Sequence, residues 1–254
     1  MAELARVWGV ADSGESIEVA LRRHLLPELA RRWPPIGLVR HDVRSGVVRL
    51  SRGLSDEWVI IPGRGESGDD PSDAAWDQLE QTLTAFAVQR LGRRVAVHAA
   101  AIAWRGKVLL VPAASGGGKS SLALAAARAG ASVLSDEYAL LDPVHATATG
   151  WRRPIDIAEA GADGVTRHDV AVELEPLPVG LIAAVAFDQD RGNAWVPMTA
   201  AEAVGQLLRN CVTAALRPSE SMDAALAVCR DAPAIQGTRG DADAAIDALL
   251  AMLE

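Results

Sequence analysis

The chain has 254 residues, enough for one or two domains with a true core. Acidic residues outnumber basic ones 33 to 25, a net charge of −8, and half of the residues are hydrophobic. The acidic balance argues against a protein that coats nucleic acid, where a basic excess supplies most of the affinity. No apolar run reaches the roughly 18 residues that a membrane helix needs.

The elements are taken in chain order. Met1 to Arg6 does not open like a signal peptide. Glu15 to Trp33 spaces Val19, Leu21, Leu25, Leu26, Leu29 and Ala30 as a helical stripe that Pro34 and Pro35 stop, so a helix is expected there. Val47 to Leu50 and Glu57 to Ile61 read as a hairpin turning through Gly53. Gly63 to Asp73 is rich in Gly, Ser, Asp and Pro and reads as a linker. It divides the chain into a small domain over 1–72 and a larger one over 73–254. A helix is expected from Ser72 to about Arg90.

Two apolar strands follow, Val95 to Trp104 and Val108 to Pro112, joined by an Arg105-Gly106 turn. After a glycine-rich loop, Leu122 to Ala129 reads as a helix that Gly130 ends. Strands are expected at Ala131 to Leu134, Tyr138 to Leu141, Arg153 to Ile157 and Leu181 to Phe187. Helices are expected at Ala200 to Asn210, Met222 to Arg230 and Asp241 to Leu253. Cys211 and Cys229 have no second pair and no histidine cluster beside them. They read as reduced core thiols of a cytoplasmic protein, not as a disulfide framework or a zinc site.

Only two of the 25 basic residues are lysines, and one of them stands in the loop. Ser115-Gly116-Gly117-Gly118-Lys119-Ser120-Ser121, between a strand and a helix, has the layout of a P-loop. Glycines let successive backbone N–H groups wrap a phosphate, and the following helix turns its positive end to the same anion. Lys119 would reach the β- and γ-phosphates of ATP, and the Ser120 hydroxyl would hold Mg²⁺. The usual first glycine of the pattern is Ala113 here, which tolerates positive φ poorly, so the loop entrance is expected to differ. Lys107, after a turn glycine, reads as a solvated hairpin residue.

Asp136 and Glu137 follow Lys119 after 17 and 18 residues. One helix and one short strand would return them beside the loop, where phosphoryl transfer needs an acid. Ser135, rather than an apolar residue, precedes Asp136, unlike an ordinary Walker B strand. His98 lies in the strand next to the loop strand and reads equally well as a core histidine or a site residue. Arg152 and Arg153 read equally as phosphate ligands or as a solvated loop pair. Arg209-Asn210 reads as a helix end. His145 and His168 read as surface residues.

These residues together resemble a known family. Val97-His98-Ala99-Ala100, the Gly116 to Ser121 loop and Val133-Leu134-Ser135-Asp136-Glu137 are similar to the catalytic domain of HPr kinase/phosphorylase. The likeness is greatest to the short relatives found beside peptide-modification and sugar-polymer genes. It covers residues 95 to 254 and extends to Leu181–Asn210 and Pro233–Leu253. It implies a P-loop α/β domain of mixed sheet with flanking helices, here preceded by a small α+β domain, and distantly similar to phosphoenolpyruvate carboxykinase. It implies that Asp136 is a general base toward a serine hydroxyl, that His98 lies close to the transferred phosphate, and that Glu137, usually aspartate in the family, meets Mg²⁺. The family's glycine-containing loop for phosphorolysis is not recognisable here, and the first 70 or so residues do not resemble its regulatory domain.

The expected function is therefore an ATP/Mg²⁺-dependent kinase of a hydroxyl, most readily a serine of a peptide or protein. The resemblance also suggests a homo-oligomer. The rivals are a nucleotide-binding partner or scaffold that has lost transfer, and a kinase of a small hydroxyl compound. Neither nucleic acid nor a membrane is an expected partner.

Overall fold

The structure is a computed structural model. It describes residues 4–10, 16–25, 27–29, 48–52, 55–59, 73–88, 90–114, 116–151, 155–158, 165–168 and 175–253. The chain divides into two compact units, Met1–Gly92 and Arg93–Glu254. The helix expected from Ser72 goes with the first unit, and the break falls at the Gly92 turn, where φ is +59°. Of the linker expected over Gly63 to Asp73, residues 63–72 lie outside the described residues and Asp73 begins the helix.

The first unit carries an antiparallel sheet of four strands in the order β1 (Leu4–Val10), β2 (Ser16–Arg22), β3 (Val48–Arg52) and β4 (Ser55–Val59). The β3–β4 hairpin falls where the sequence places it. Where a helix is expected over Glu15–Trp33, Ser16–Arg22 is a strand, followed by a 3₁₀ turn over Arg23–Leu25 and helical residues at 27–29. Ile17, Val19 and Leu21 also alternate with period two, and two of them are β-branched. Pairing with β1, which sets Val7 opposite Val19, decides between the two periods. Helix α1 (Asp73–Val88) buries Trp76, Leu79, Leu83 and Phe86, an i, i+3, i+4 stripe.

The second unit is an eight-stranded mixed sheet between two helix layers. Its strands are β5 (Val95–Trp104), β6 (Lys107–Pro112), β7 (Ser132–Ser135), β8 (Tyr138–Asp142), β9 (Thr147–Gly150), β12 (Leu177–Phe187), β13 (Ala194–Pro197) and β14 (Ala234–Arg239). They lie in the order β13-β14-β12-β6-β5-β8-β9, with β7 paired to β5. A separate two-stranded ribbon joins β10 (Ile155–Ala158) and β11 (Val165–His168). Strands β6, β12 and β14 run parallel, and β5 returns antiparallel to β6. Arg105 (φ +48°) and Gly106 (φ +78°) close that hairpin, as a two-residue turn with both central residues left-handed requires.

Strand alternation sorts side chains between the two layers. Ala100, Ile102, Leu109, Val111, Ala183, Val185 and Ile235 pack under α2 (Lys119–Arg128) and α5 (Ala242–Ala251). Val97, Ala99, Ala101, Leu110, Ile182 and Ala184 pack under α3 (Ala200–Arg209) and α4 (Pro218–Cys229). Both faces are covered, so β5 reads as a near-continuous apolar run. Helix α3 begins at a capping box, Thr199 with Glu202. Cys211 is half-buried, Cys229 is buried and both are free; burial pushes the Cys229 thiol up to about 11. Among the described residues, no helix is long and apolar enough to cross a membrane.

Candidate functional site

Strand β6 runs out at Pro112 and the chain turns through the glycine loop into α2. Gly116 and Gly118 sit at φ +78° and +79°, a conformation that only glycine adopts without strain. Gly118 is the N-cap of α2, and no side chain caps that helix start. The positive end of the helix is thus left facing the loop. A Cβ on Gly117 would stand 2.9 Å from the Ala113 Cβ. Ala113 itself is not left-handed, so alanine fits the backbone where the usual pattern has glycine.

Lys119 is buried. Its ammonium folds back and donates to the Ala113 and Ala114 carbonyls, each at 2.9 Å. Burial lowers its pKa, while Asp136 and Glu137 pull the other way. A compact ammonium fits inside the loop in a way that a planar guanidinium does not. The next residue meets the acids: the Ser120 hydroxyl donates to an Asp136 carboxylate oxygen at 2.6 Å. That length is typical of a charge-assisted O–H···O⁻ bond.

The bend that presents the two acids has a local cause. The Ser135 hydroxyl accepts from the Glu137 and Tyr138 N–H groups at 3.1 and 3.0 Å, a serine turn that kinks the chain at Asp136. That accounts for a serine where a Walker B strand carries an apolar residue. The acids have different surroundings: Asp136 is buried against Ser120, whereas Glu137 is only half-buried. The Glu137 carbonyl accepts from the Ala99 N–H at 3.0 Å and ties the bend to β5.

His98 shares strand parity with Ala100 and Ile102, so its ring lies on the α2 face of the sheet. Its N–H donates to the Asn210 carbonyl at 2.8 Å, and its carbonyl accepts from the Ala113 N–H at 3.4 Å. The ring stands 5.9 Å from that of Tyr138, which meets Trp151 edge-on. Burial and the Lys119 charge lower the His98 pKa against the opposing pull of Glu137. Both influences place Lys119 and Glu137 within electrostatic reach of His98.

Of the residues singled out in the sequence, the structure brings together His98, Gly116, Gly117, Gly118, Lys119, Ser120, Asp136 and Glu137. Ser121 is half-buried in the first turn of α2. Ser115, Arg152 and Arg153 lie outside the described residues. Lys107 is exposed, but its ammonium donates to the Leu253 carbonyl at 3.0 Å. Asn210 caps α3 by bonding the Gln206 carbonyl.

One residue escapes sequence reasoning. Arg239, at the end of β14, is 3% exposed and donates to the Gly118 carbonyl at 3.1 Å and the Gly240 carbonyl at 2.9 Å. Burial lowers its pKa, countered by Asp241. A Cβ on Gly118 would meet the Arg239 guanidinium, which would have to shift, and the φ of +79° favours glycine there in any case. The only signal was an arginine between Thr238 and Gly240 at the end of an apolar segment, and no spacing rule connects it to a loop 121 residues earlier.

The donor set suits the groups a P-loop implies. A hydroxyl and a carboxylate are hard oxygen ligands, and Mg²⁺ is ordinarily held by one or two such groups together with phosphates. Among the described residues, no group of three or more His, Cys, Asp and Glu forms a metal cage. No protein-family model matches the chain, and no curated protein does.

Proposed function

We propose that this protein is an ATP-dependent phosphotransferase that acts on a hydroxyl, with a serine of a peptide or protein as the acceptor. The carrying observation is the Ser120–Asp136 bond beside a buried Lys119, with Glu137 and His98 grouped about the same loop. The likeness of these residues to HPr kinase/phosphorylase points the same way, and the acceptor class rests on that likeness.

The residue roles follow from the surroundings. Lys119 and the loop N–H groups stabilise charge on the transferring phosphoryl group, where most of the catalysis of such a reaction lies. Ser120 and Asp136 would hold Mg²⁺, which when bound neutralises and orients the phosphates. This differs from the expectation that Glu137 meets the metal and Asp136 takes the proton. Asp136 is buried and bonded to Ser120, whereas Glu137 is half-buried and so the more accessible of the two acids. Glu137 therefore accepts the acceptor proton. His98 stands within electrostatic reach of Lys119 and Glu137, and burial and the Lys119 charge both disfavour its charged form.

Labelled ATP, Mg²⁺ and serine peptides test this with three proteins. The wild type transfers label. Glu137→Gln keeps ATP binding and loses transfer by about 10²–10⁴-fold, the usual contribution of a general base. Asp136→Asn raises the Mg²⁺ concentration needed for half-maximal rate. Tight ATP binding with no transfer to any peptide would make the protein a nucleotide-binding partner instead.

A further inference from the structure

Phe187 closes β12, is one of two phenylalanines in the chain, and is 55% exposed. A single exposed apolar residue needs no explanation by itself. The position of this one does. Alternation from Ala183 and Val185 sets its ring on the α2 face, the face of the phosphate loop. Its register partner across the parallel β12–β14 pair is Arg239. The Arg239 guanidinium carbon stands over the ring, 5.1 Å from its centroid, while the same guanidinium donates to the Gly118 carbonyl. A buried cation thus ties the exposed ring to the end of the loop. The guanidinium has given up water to do so, and its Nε finds no partner among the described residues.

The topology gives the loop two unlike flanks. On one side, β5 carries His98, and the bend between β7 and β8 carries Asp136 and Glu137. On the other, the carboxyl ends of β12 and β14 carry Phe187 and Arg239. Ligands of open α/β sheets lie outside the carboxyl ends of parallel strands. A nucleoside triphosphate in the loop has two ends to place. Its terminal phosphate belongs with the acids, so its nucleoside runs toward β12 and β14.

We infer that Phe187 is the stacking platform for the base of that nucleoside triphosphate. One face of the ring is held by Arg239, and the remainder is open to solvent. Stacking on an aromatic face suits any base, since every base has a π-face, and this ring has no polar atom with which to choose among them. The inference rests on the phosphate-loop reading above, and the experiment separates the two.

Calorimetry with ATP and with inorganic tripolyphosphate, each with Mg²⁺, is run on the wild type, Phe187→Ala and Phe187→Tyr. The wild type binds ATP more tightly than tripolyphosphate. Phe187→Ala weakens ATP roughly ten-fold, within the range for loss of one stacked base, and leaves tripolyphosphate unchanged. Phe187→Tyr keeps the wild-type affinity for both. If Phe187→Ala binds ATP like the wild type, or loses both ligands equally, the platform is wrong and the loop reading survives. If the wild type prefers ATP no more than tripolyphosphate, the platform is likewise wrong. If the wild type binds neither ligand, the loop reading fails and takes the platform with it.

Discussion

The two flanks of the glycine loop are built from different materials. The β5–β7–β8 flank brings titratable groups together: His98, Asp136 and Glu137 around Lys119, with hydroxyls from Ser120 and Ser135 to fix them. The β12–β14 flank holds a fixed cation and a flat ring, Arg239 and Phe187. The first flank can move a proton. The second can only bind and support. The proposed phosphotransfer would use both, because reaction at one end of a nucleotide requires the other end to be held still.

That contrast can be broken most severely at the residue the flanks share. Lys119→Met removes the ammonium that bonds two loop carbonyls and faces both acids. ATP and tripolyphosphate binding should both fall by more than about 100-fold by calorimetry, since the charge is lost from a buried site where it counts most. Retained binding would mean that the loop does not seat phosphates.

Arg239→Met comes next. It removes one of two donors to the Gly118 carbonyl and leaves the Leu122 N–H in place, so the cost is that of one hydrogen bond, about 1 kcal/mol of stability. Chemical denaturation measures that loss. Both ligands should weaken moderately, and transfer by the remaining bound fraction should continue, because the acids are untouched. Arg239→Lys should not rescue, since a lysine cannot bridge the Gly118 and Gly240 carbonyls with a planar fork. A variant with normal binding and normal stability would make the second flank ornamental.

The smallest effect concerns His98. Burial and Lys119 hold its folded pKa below the ordinary histidine value. The unfolded chain therefore takes up this proton first as pH falls, and the folded state loses stability relative to it. Above the ordinary value both states are neutral and nothing is lost. Denaturation at pH 7.5 and at pH 5.5 should show a smaller acid loss for His98→Gln than for the wild type. Equal losses would place His98 in a solvated setting and weaken its grouping with Lys119.

The first flank was legible because its parts are close in the chain. A strand, a glycine loop, a helix and a short strand carry the sequence from His98 to Glu137, and each step obeys a local rule. Even there the neighbours of the acids were not readable. Asp136 lies against Ser120 because Ser135 turns the backbone, a hydrogen bond that no pattern encodes. The strand over Ser16–Arg22 shows the same limit in the first unit. Its apolar residues satisfy the helical and the extended period alike, and pairing with Leu4–Val10 chooses the strand. The second flank had no such signal. Strand Ala194–Pro197 has only three apolar residues before its proline, and Ala234–Arg239 has a glutamine, a glycine and a threonine after its first two, so neither stands out as a sheet element.

What the sequence determined by itself was the glycine loop and its immediate frame. Left-handed glycines, an uncapped helix start and a lysine are local chemistry, complete within about ten residues. What only the tertiary structure decided was the company the loop keeps. Arg239 reaches Gly118 because β14 lies parallel to β12, and β12 parallel to β6. Those pairings follow from burying the two faces of one sheet under four helices. That burial is a non-directional force summed over the whole domain, and no spacing within the chain records which distant strand it will bring alongside.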